Sequence, residues 1–525
     1  MDLHKHLGVL AIAVALAACS SEDSGKSGTI GGPGTNGWTP NSFLPSVSFK
    51  NQCAAPRTGT DANGRPFPDT QGTMLSENNW LRSWTNELYL WYREVEDHDP
   101  SAFTSAQYFR LLKTFQTTPA GTAKDRYHFT APTAEWQSYS QTGAQIGYGA
   151  TFLTVSGTPP REVVVLLVEP GSPAAAAGLT RGDRIVNVDN VDVANGGNVT
   201  VLQAGLFPSR ENETHNFGIR DASGTVRTVS LRSQRVDTTP VHTVSVLPTD
   251  SGSSKVGYIL FNSHIASAED GLIDAFAALG TENIQDLVLD LRYNGGGYVA
   301  IASQAAYMIA GNARTVGQDF ERTVWNDRHT TTNPVTGRPL APMPFFDTTV
   351  GLSRPLGTPL PTLNLNRVYV LTSEDTCSAS EAIMNGLRGV DVEVIQVGTT
   401  TCGKPYGFYD FDNCGTTYFS VQFQGVNAKG FGDYTDGFTP ENAPSSTPGV
   451  RIPGCTAADD YEHALGDPEE GMLGVALAHR ASGTCPPAAT ATLASKTSRT
   501  TGSRGETVRP PYAEIRKMRI EDLAR

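Results

Sequence analysis

The sequence predicts a multidomain α+β fold: a small helical domain, a small β-rich domain, and an α/β core assembled from βαβ units. Three observations predict it. Trp80, Trp84, Leu88 and Trp91 recur at three- and four-residue spacing, the period of one apolar helix face. Between Gly143 and Arg235 the chain breaks into short strand-like runs separated by turn residues. From Val368 to Val397 an apolar run, a helical segment and a second apolar run follow one another. That is the strand–helix–strand order whose crossover makes the two strands parallel.

Residues 1–19 have a short charged start and an apolar core too short to span a membrane comfortably, and read as an export signal. Their last four residues, Leu16-Ala17-Ala18-Cys19, resemble a bacterial lipobox. The resemblance implies cleavage before Cys19 and lipidation of its thiol. Ser20 follows instead of aspartate, which implies an outer-membrane lipoprotein held to the membrane by its lipid, facing the periplasm or the cell surface. Residues 20–72 are rich in Gly, Ser, Thr, Pro and Asn, cannot bury enough apolar area to offset their ordering entropy, and are expected to be a flexible tether. Residues 73–142 are expected to form the helical domain, with Tyr108, Leu111, Leu112 and Phe115 as a second apolar face. A net charge of −13 and the lack of any basic stripe exclude a nucleic-acid partner.

Residues 143–235 make the β-rich domain. The run Ile146-Gly147-Tyr148-Gly149-Ala150 puts glycines just before a strand, where main-chain N–H groups are exposed. Ser172-Pro173 is a cap followed by Pro at the first helical position, and Gly178 is a stop. Arg181-Gly182-Asp183 then turns the chain into the strand Arg184–Val188. Together with the rest of Pro170 to Asn190, these stretches resemble a PDZ domain. The resemblance implies that Ile146 to Ala150 bind peptide, and that the partners are proteins or peptides with accessible C-termini.

The core is expected over 236–485, and its chemistry gathers at strand ends. Asp286 to Leu291 is a buried-strand run that ends in Arg292-Tyr293-Asn294-Gly295-Gly296-Gly297. Consecutive glycines leave main-chain N–H groups unobstructed for a ligand oxygen. Ser378 follows the run Val368 to Leu371, and Lys404 follows the run Val392 to Val397. Parallel strands end on one edge, so this hydroxyl and this amine can meet there. Ser378-Ala379-Ser380-Glu381 also fits a capping box, a purely structural role. Nucleophile, base and oxyanion donors are the parts of an acyl-transfer site. For lysine to be the base near neutral pH, its pKa must fall from about 10.4 to roughly 7–8, which asks burial for about 3–5 kcal/mol.

The stretches DLRYNGGG, TCSASEAIMNGL and TTTCGKP resemble the matching motifs of the S41 serine peptidases, the carboxyl-terminal-processing proteases. The resemblance implies a ClpP/crotonase-like core and a serine endopeptidase without metal or cofactor. Ser378 becomes the nucleophile, Lys404 its base, and Ala379 with Gly296 or Gly297 the oxyanion hole. In one respect the chain departs from the family. Members carry a glutamine four residues after the lysine, which orients it; here that residue is Phe408. His128, His264 and His329 are the alternative orienting groups. This departure keeps a second expectation open, a catalytically inactive, anchored binding protein for exposed C-termini. Six cysteines besides Cys19 suggest disulfides in an exported chain. Cys455–Cys485 and Cys402–Cys414 are favoured, with Cys377–Cys402 as the alternative. Residues 486–525 are expected to be disordered or to end in a short helix from Tyr512.

Overall fold

The structure, a computed structural model, describes residues 38–61, 64–248 and 254–487, together with two short strands at Glu506–Thr507 and Arg516–Met518. Cys19 and the export signal lie outside the described residues. The chain divides into two units, residues 1–116 and 117–525.

In the first unit, α1 (Met74–Leu88) starts at a Thr73/Ser76 capping box and buries Trp80, Trp84 and Leu88, the two indoles stacked 5.3 Å apart. Helix α2 (Ser105–Leu111) is capped by Thr104 and Gln107 and buries Tyr108 and Phe109, with Leu112 buried just beyond it. Phe115 was expected on this face but is 67% exposed, because the helix stops at Leu111 and its period with it.

The tether expectation for residues 20–72 needs correction in its described part. The Ser46 amide and hydroxyl donate to Glu87 at 2.7 and 2.6 Å. Arg82, paired with Asp97, donates to the carbonyls of Ser42 and Thr39. Residues Gln52–Cys53 and Thr70–Gln71 pair as short parallel strands. A few anchoring side chains order a stretch whose average composition is that of a linker. The helical domain is also shorter than expected: residues 117–142 belong to the second unit, where β1 (Phe129–Pro132) pairs with Thr416–Phe419.

In the second unit the β-rich domain is an antiparallel sheet of β2 (Ala150–Ser156), β3 (Glu162–Val168), β4 (Arg184–Val188), β5 (Thr214–Arg220) and β6 (Val226–Arg232), in the order β6-β5-β4-β3-β2. The expected helix from Ser172 covers Pro173–Ala176 and is capped by the Ser172 hydroxyl. Glu506–Thr507 adds to the free side of β2.

The core sheet runs β7 (Val241–Pro248), β8 (Lys255–Phe261), β9 (Asp286–Asp290), β11 (Arg367–Thr372), β12 (Glu393–Gly398) and β13 (Gly454–Thr456), where β10 (Gly296–Tyr298) is a short strand outside it. All pairs from β8 onward are parallel. Asp290 pairs with Leu371, which pairs with Val397, so β9, β11 and β12 end flush on one edge. Helices α3 (Ala268–Gly280), α4 (Val299–Ala310) and α5 (Ala379–Gly389) pack on one face. Helix α6 (Gly471–Ser482) and Leu153 and Leu166 of the β-rich domain pack on the other. Burial on both faces explains why these strands read as continuous apolar runs. The expected helix start at Tyr512 lies outside the described residues; Arg516–Met518 runs parallel to β10.

Candidate active site

Ser378 stands just past β11 as the first turn of α5 begins, and it is fully buried. Its backbone has φ +59°, ψ −112°, a conformation that costs a non-glycine residue of order 1–3 kcal/mol and persists only when neighbours enforce it. The neighbours are identifiable. Thr376 donates its hydroxyl to Leu291 O at 2.9 Å, and the Cys377 amide donates to Asn294 O at 3.0 Å. The turn that carries Ser378 is thus hung on the glycine loop that ends β9.

Glu381 lies one turn into α5 and is fully buried. Its Oε2 accepts the Ser378 amide at 3.0 Å, the capping-box bond that the sequence pattern implies. It also accepts the Lys404 amide at 2.8 Å, while Oε1 accepts the Gly403 amide at 2.8 Å and the Thr401 hydroxyl at 2.5 Å. One oxygen shared by two amides puts the Ser378 and Lys404 nitrogens no more than 5.8 Å apart, the sum of the two bonds. Burial pushes the Glu381 carboxyl above its usual range, against these hydrogen bonds, which favour its charged form.

The loop bearing Lys404 is held at nearly every polar main-chain atom. Cys402 N donates to Thr376 O at 3.0 Å. Arg126 donates to Cys402 O at 2.7 Å, and the Tyr127 hydroxyl donates to Gly403 O at 2.8 Å. Gly403 has φ +83°, and a Cβ there would sit 2.3 Å from Thr435 O, so only glycine fits. Lys404 is fully buried, with Nζ 4.4 Å from the Phe408 ring centroid and 5.1 Å from that of Tyr127.

A disulfide joins Cys377 to Cys402, with Cα atoms 5.2 Å apart, so the two loops are also linked covalently. The favoured Cys402–Cys414 pairing is therefore corrected; Cys414 is disulfide-bonded, but not to Cys402. Strand ends that lie flush bring Cys402 to Cys377 across space, which proximity in sequence does not reveal. Cys455–Cys485 forms as expected. The groupings Cys377/Glu381/Cys402 and Cys455/His479/Cys485 are compact enough to hold a cation, but their sulfurs are bonded to each other.

On the glycine loop the two candidate donors differ. The Gly296 amide is engaged by Asn294 Oδ1 at 2.9 Å, and Gly297 stands opposite Lys517 in the ladder of β10 with Arg516–Met518; Ala379 is the first residue of α5. Gly297 has φ +143°, and a Cβ would stand 2.4 Å from His264 O.

The three histidines are not equivalent. His264 braces the glycine loop: its amide donates to Gly296 O, and its carbonyl accepts from Tyr298 N at 2.8 Å. Asn294 Nδ2 donates to Phe261 O, so Oδ1 is an acceptor and His264 Nδ1, 2.9 Å away, carries the proton. Burial lowers the His264 pKa to about 3, against the raising effect of that hydrogen bond, so the ring is neutral. His128 Nδ1 lies 3.7 Å from Asp125, and His329 packs edge-on to Trp325.

Among the candidate peptide-binding residues, Ile146 and Gly147 pair with Arg235 and Gln234 in a separate ladder. Tyr148 is buried and donates its hydroxyl to Gly205 O at 2.9 Å. Gly149 and Ala150 are the two that adjoin the start of β2. The same domain is tied to the core through Arg181, which donates to Asp459 at 2.7 Å and to the Tyr293 hydroxyl at 2.9 Å. Arg292, next to Tyr293, is fully buried and bonds Asp290, Asp459 and Glu470.

Sequence reasoning missed Arg126 and Tyr127 entirely, and saw Glu381 only as a helix cap. Glu381 could have been suspected from its place in the motif. Nothing local marks Arg126 and Tyr127, whose partners are 276 residues away.

The chain is similar to known proteins over part of its length. Residues 255–408 match the model of peptidase family S41, and residues 164–205 that of the PDZ domain. Carboxyl-terminal-processing peptidase 2, chloroplastic, of Arabidopsis thaliana is 34% identical over 158 residues, 30% of this chain and 29% of that protein. The carboxyl-terminal-processing protease of Picosynechococcus sp. is 29% identical over 267 residues, 50% of this chain and 56% of that protein. The chain thus spans between 29% and 56% of the length of these relatives. Among solved structures, a putative S41 protease from Bacteroides fragilis shares the fold, with TM-score 0.57 and 22% identity over 77% of this chain and 97% of that one. The chain therefore contains a peptidase family S41 domain together with a PDZ domain.

Proposed function

We propose that this protein is a serine endopeptidase in which Ser378 and Lys404 form a nucleophile–base dyad. The observation that carries the reading is the shared Glu381 oxygen, which draws the two residues' main chains together in a buried notch. In the reaction, the neutral Lys404 amine takes the Ser378 hydroxyl proton as Oγ attacks a peptide carbonyl. The oxyanion that forms is held by the Ala379 amide and an amide of the glycine loop, that of Gly296 or Gly297. The resulting ammonium protonates the leaving amine, and the C–N bond breaks to give the acyl-enzyme. Water, deprotonated by Lys404, then releases the acid and restores Ser378.

The substrates are proteins or peptides whose C-termini add to the PDZ domain near Gly149 and Ala150. Lipidated Cys19 would tether the enzyme to the outer membrane, on its periplasmic side or at the cell surface. The alternative is an inactive binding protein for exposed C-termini, a reading favoured by Phe408 in place of the family's glutamine.

Incubation with an unfolded protein substrate separates the two. Cleavage by the parent, abolished in both Ser378→Ala and Lys404→Ala, supports the peptidase. Peptide binding without cleavage by any of the three supports the scaffold. Cys19→Ser should shift the protein from the membrane to the soluble fraction.

A further inference from the structure

The Lys404 amine enters a pocket walled by rings. Phe408 and Tyr127 present their faces to it, at 4.4 and 5.1 Å from the ring centroids. Neither ring is free to move. Phe408 is fully buried and packs edge-on to Phe419 at 5.3 Å and to Phe129 at 6.3 Å. Those two stack at 4.2 Å, and Trp136 closes the cluster 4.7 Å from Phe419. Tyr127 is buried and fixed by its hydroxyl, which donates to Gly403 O and accepts from Arg126 at 3.1 Å.

We propose that Phe408 and Tyr127 are positioning residues for the Lys404 amine, and that they favour its protonated form as the proton arrives. This rests on the dyad reading above. The faces restrict a stem that is otherwise flexible, which supplies aim. Their second effect depends on charge. An aromatic face attracts an ammonium through its quadrupole and has no such attraction for a neutral amine. The attraction therefore grows as the proton passes from Ser378 to Lys404, the kind of interaction that lowers a barrier instead of merely tightening binding. A glutamine carbonyl could act by hydrogen bond; the rings act by shape and quadrupole.

The titratable groups that interact with Tyr127 are Glu381 on α5, Asp125 and Arg126 ahead of β1, and Tyr406 and Tyr434. All of these stay in place when only the Phe408 ring is changed.

The test is the pH profile of kcat/KM for the full chain and for Phe408→Leu, Phe408→Tyr and Tyr127→Phe. Activity needs the neutral amine, so it rises with pH along an acid limb. Loss of the Phe408 quadrupole should move that limb to lower pH by about 0.4–1.5 units, with a lower plateau kcat and little change in KM. Phe408→Tyr keeps the face and should keep the profile. Tyr127→Phe keeps both faces and should leave the limb in place while lowering kcat through the lost Gly403 bond. The same shift should appear, without turnover, when the Lys404 side-chain carbon is titrated by NMR in Ser378→Ala with and without Phe408→Leu. An unmoved limb and titration in a folded Phe408→Leu protein would overturn the proposal. Absence of cleavage in the parent, with the NMR shift present, would instead count against the dyad reading alone.

Discussion

Glu381 accepts the Lys404 amide at 2.8 Å on the same oxygen that accepts the Ser378 amide. The cap of α5 and the loop that bears Lys404 are therefore one hydrogen-bonded object. Glu381→Gln keeps the shape but turns one acceptor into a donor, which leaves buried amides unsatisfied at about 1–3 kcal/mol each. We expect Glu381→Gln to lose roughly that much unfolding free energy and about tenfold or more in kcat. Glu381→Ala should lose more of both. Denaturant unfolding and steady-state kinetics check this, and parental kcat in a folded Glu381→Ala would refute it.

The Cys377–Cys402 disulfide ties the same two loops, whereas Cys455–Cys485 lies at the end of β13. Each closes a loop of 25 or 30 residues, and each should contribute about 3–4 kcal/mol to stability. Only the first should matter to turnover beyond its effect on folding. Paired Ser replacements at 377 and 402 should lower kcat at a temperature where the protein remains folded. The pair at 455 and 485 should lower the melting temperature and leave kcat near the parental value.

His264 predicts a pH effect with a definite sign. Burial depresses its pKa from 6.5 to about 3, so the folded protein binds fewer protons than the unfolded chain. Its stabilising contribution is complete above pH 6.5 and is lost as pH falls toward 3, by up to about 1.4 kcal/mol per pH unit. Unfolding curves at pH 7.5, 6 and 5 should show that loss, and His264→Gln should flatten it. An equal slope in the variant would assign the pH dependence to other groups.

Arg292 is enclosed by Asp290, Asp459 and Glu470 and has no exposure. Removal of one partner from a buried ionic cluster leaves the others uncompensated, typically at about 3–5 kcal/mol. Arg292→Met should therefore destabilise the protein by about that amount in chemical denaturation. Arg181 is less enclosed and bonds Asp459 from the PDZ side. Arg181→Met should cost less, and an equal cost for the two would show that the cluster is not organised around Arg292.

Much of the site could be read before any coordinates, because its parts follow directly on strands. Ser378, Lys404 and the glycine loop each come after an apolar run, and parallel strands that pair in register must finish together. Period was equally informative for α1 as far as Leu88, where the helix ends before Trp91. What was hidden depends on contacts that span the chain. Tyr127 carries no local mark of its bond to Gly403, and Cys402 could not reveal which cysteine faced it. The stretch around Ser42 to Gln52 has a linker's average composition, and only its partners Arg82 and Glu87 show otherwise. Phe115 misled for the opposite reason, since a regular spacing can run past the point where its helix ends.

The clamp of Arg126 and Tyr127 on Cys402 and Gly403 also bears on the order of events in the life of a chain. Its two halves are 276 residues apart, and closing so long a span costs entropy before any contact repays it, so such contacts form late. A ribosome would release the first half long before the last turn of the site exists. The loop that bears Lys404 is fixed only once the start of the unit has folded back onto Cys402 and Gly403.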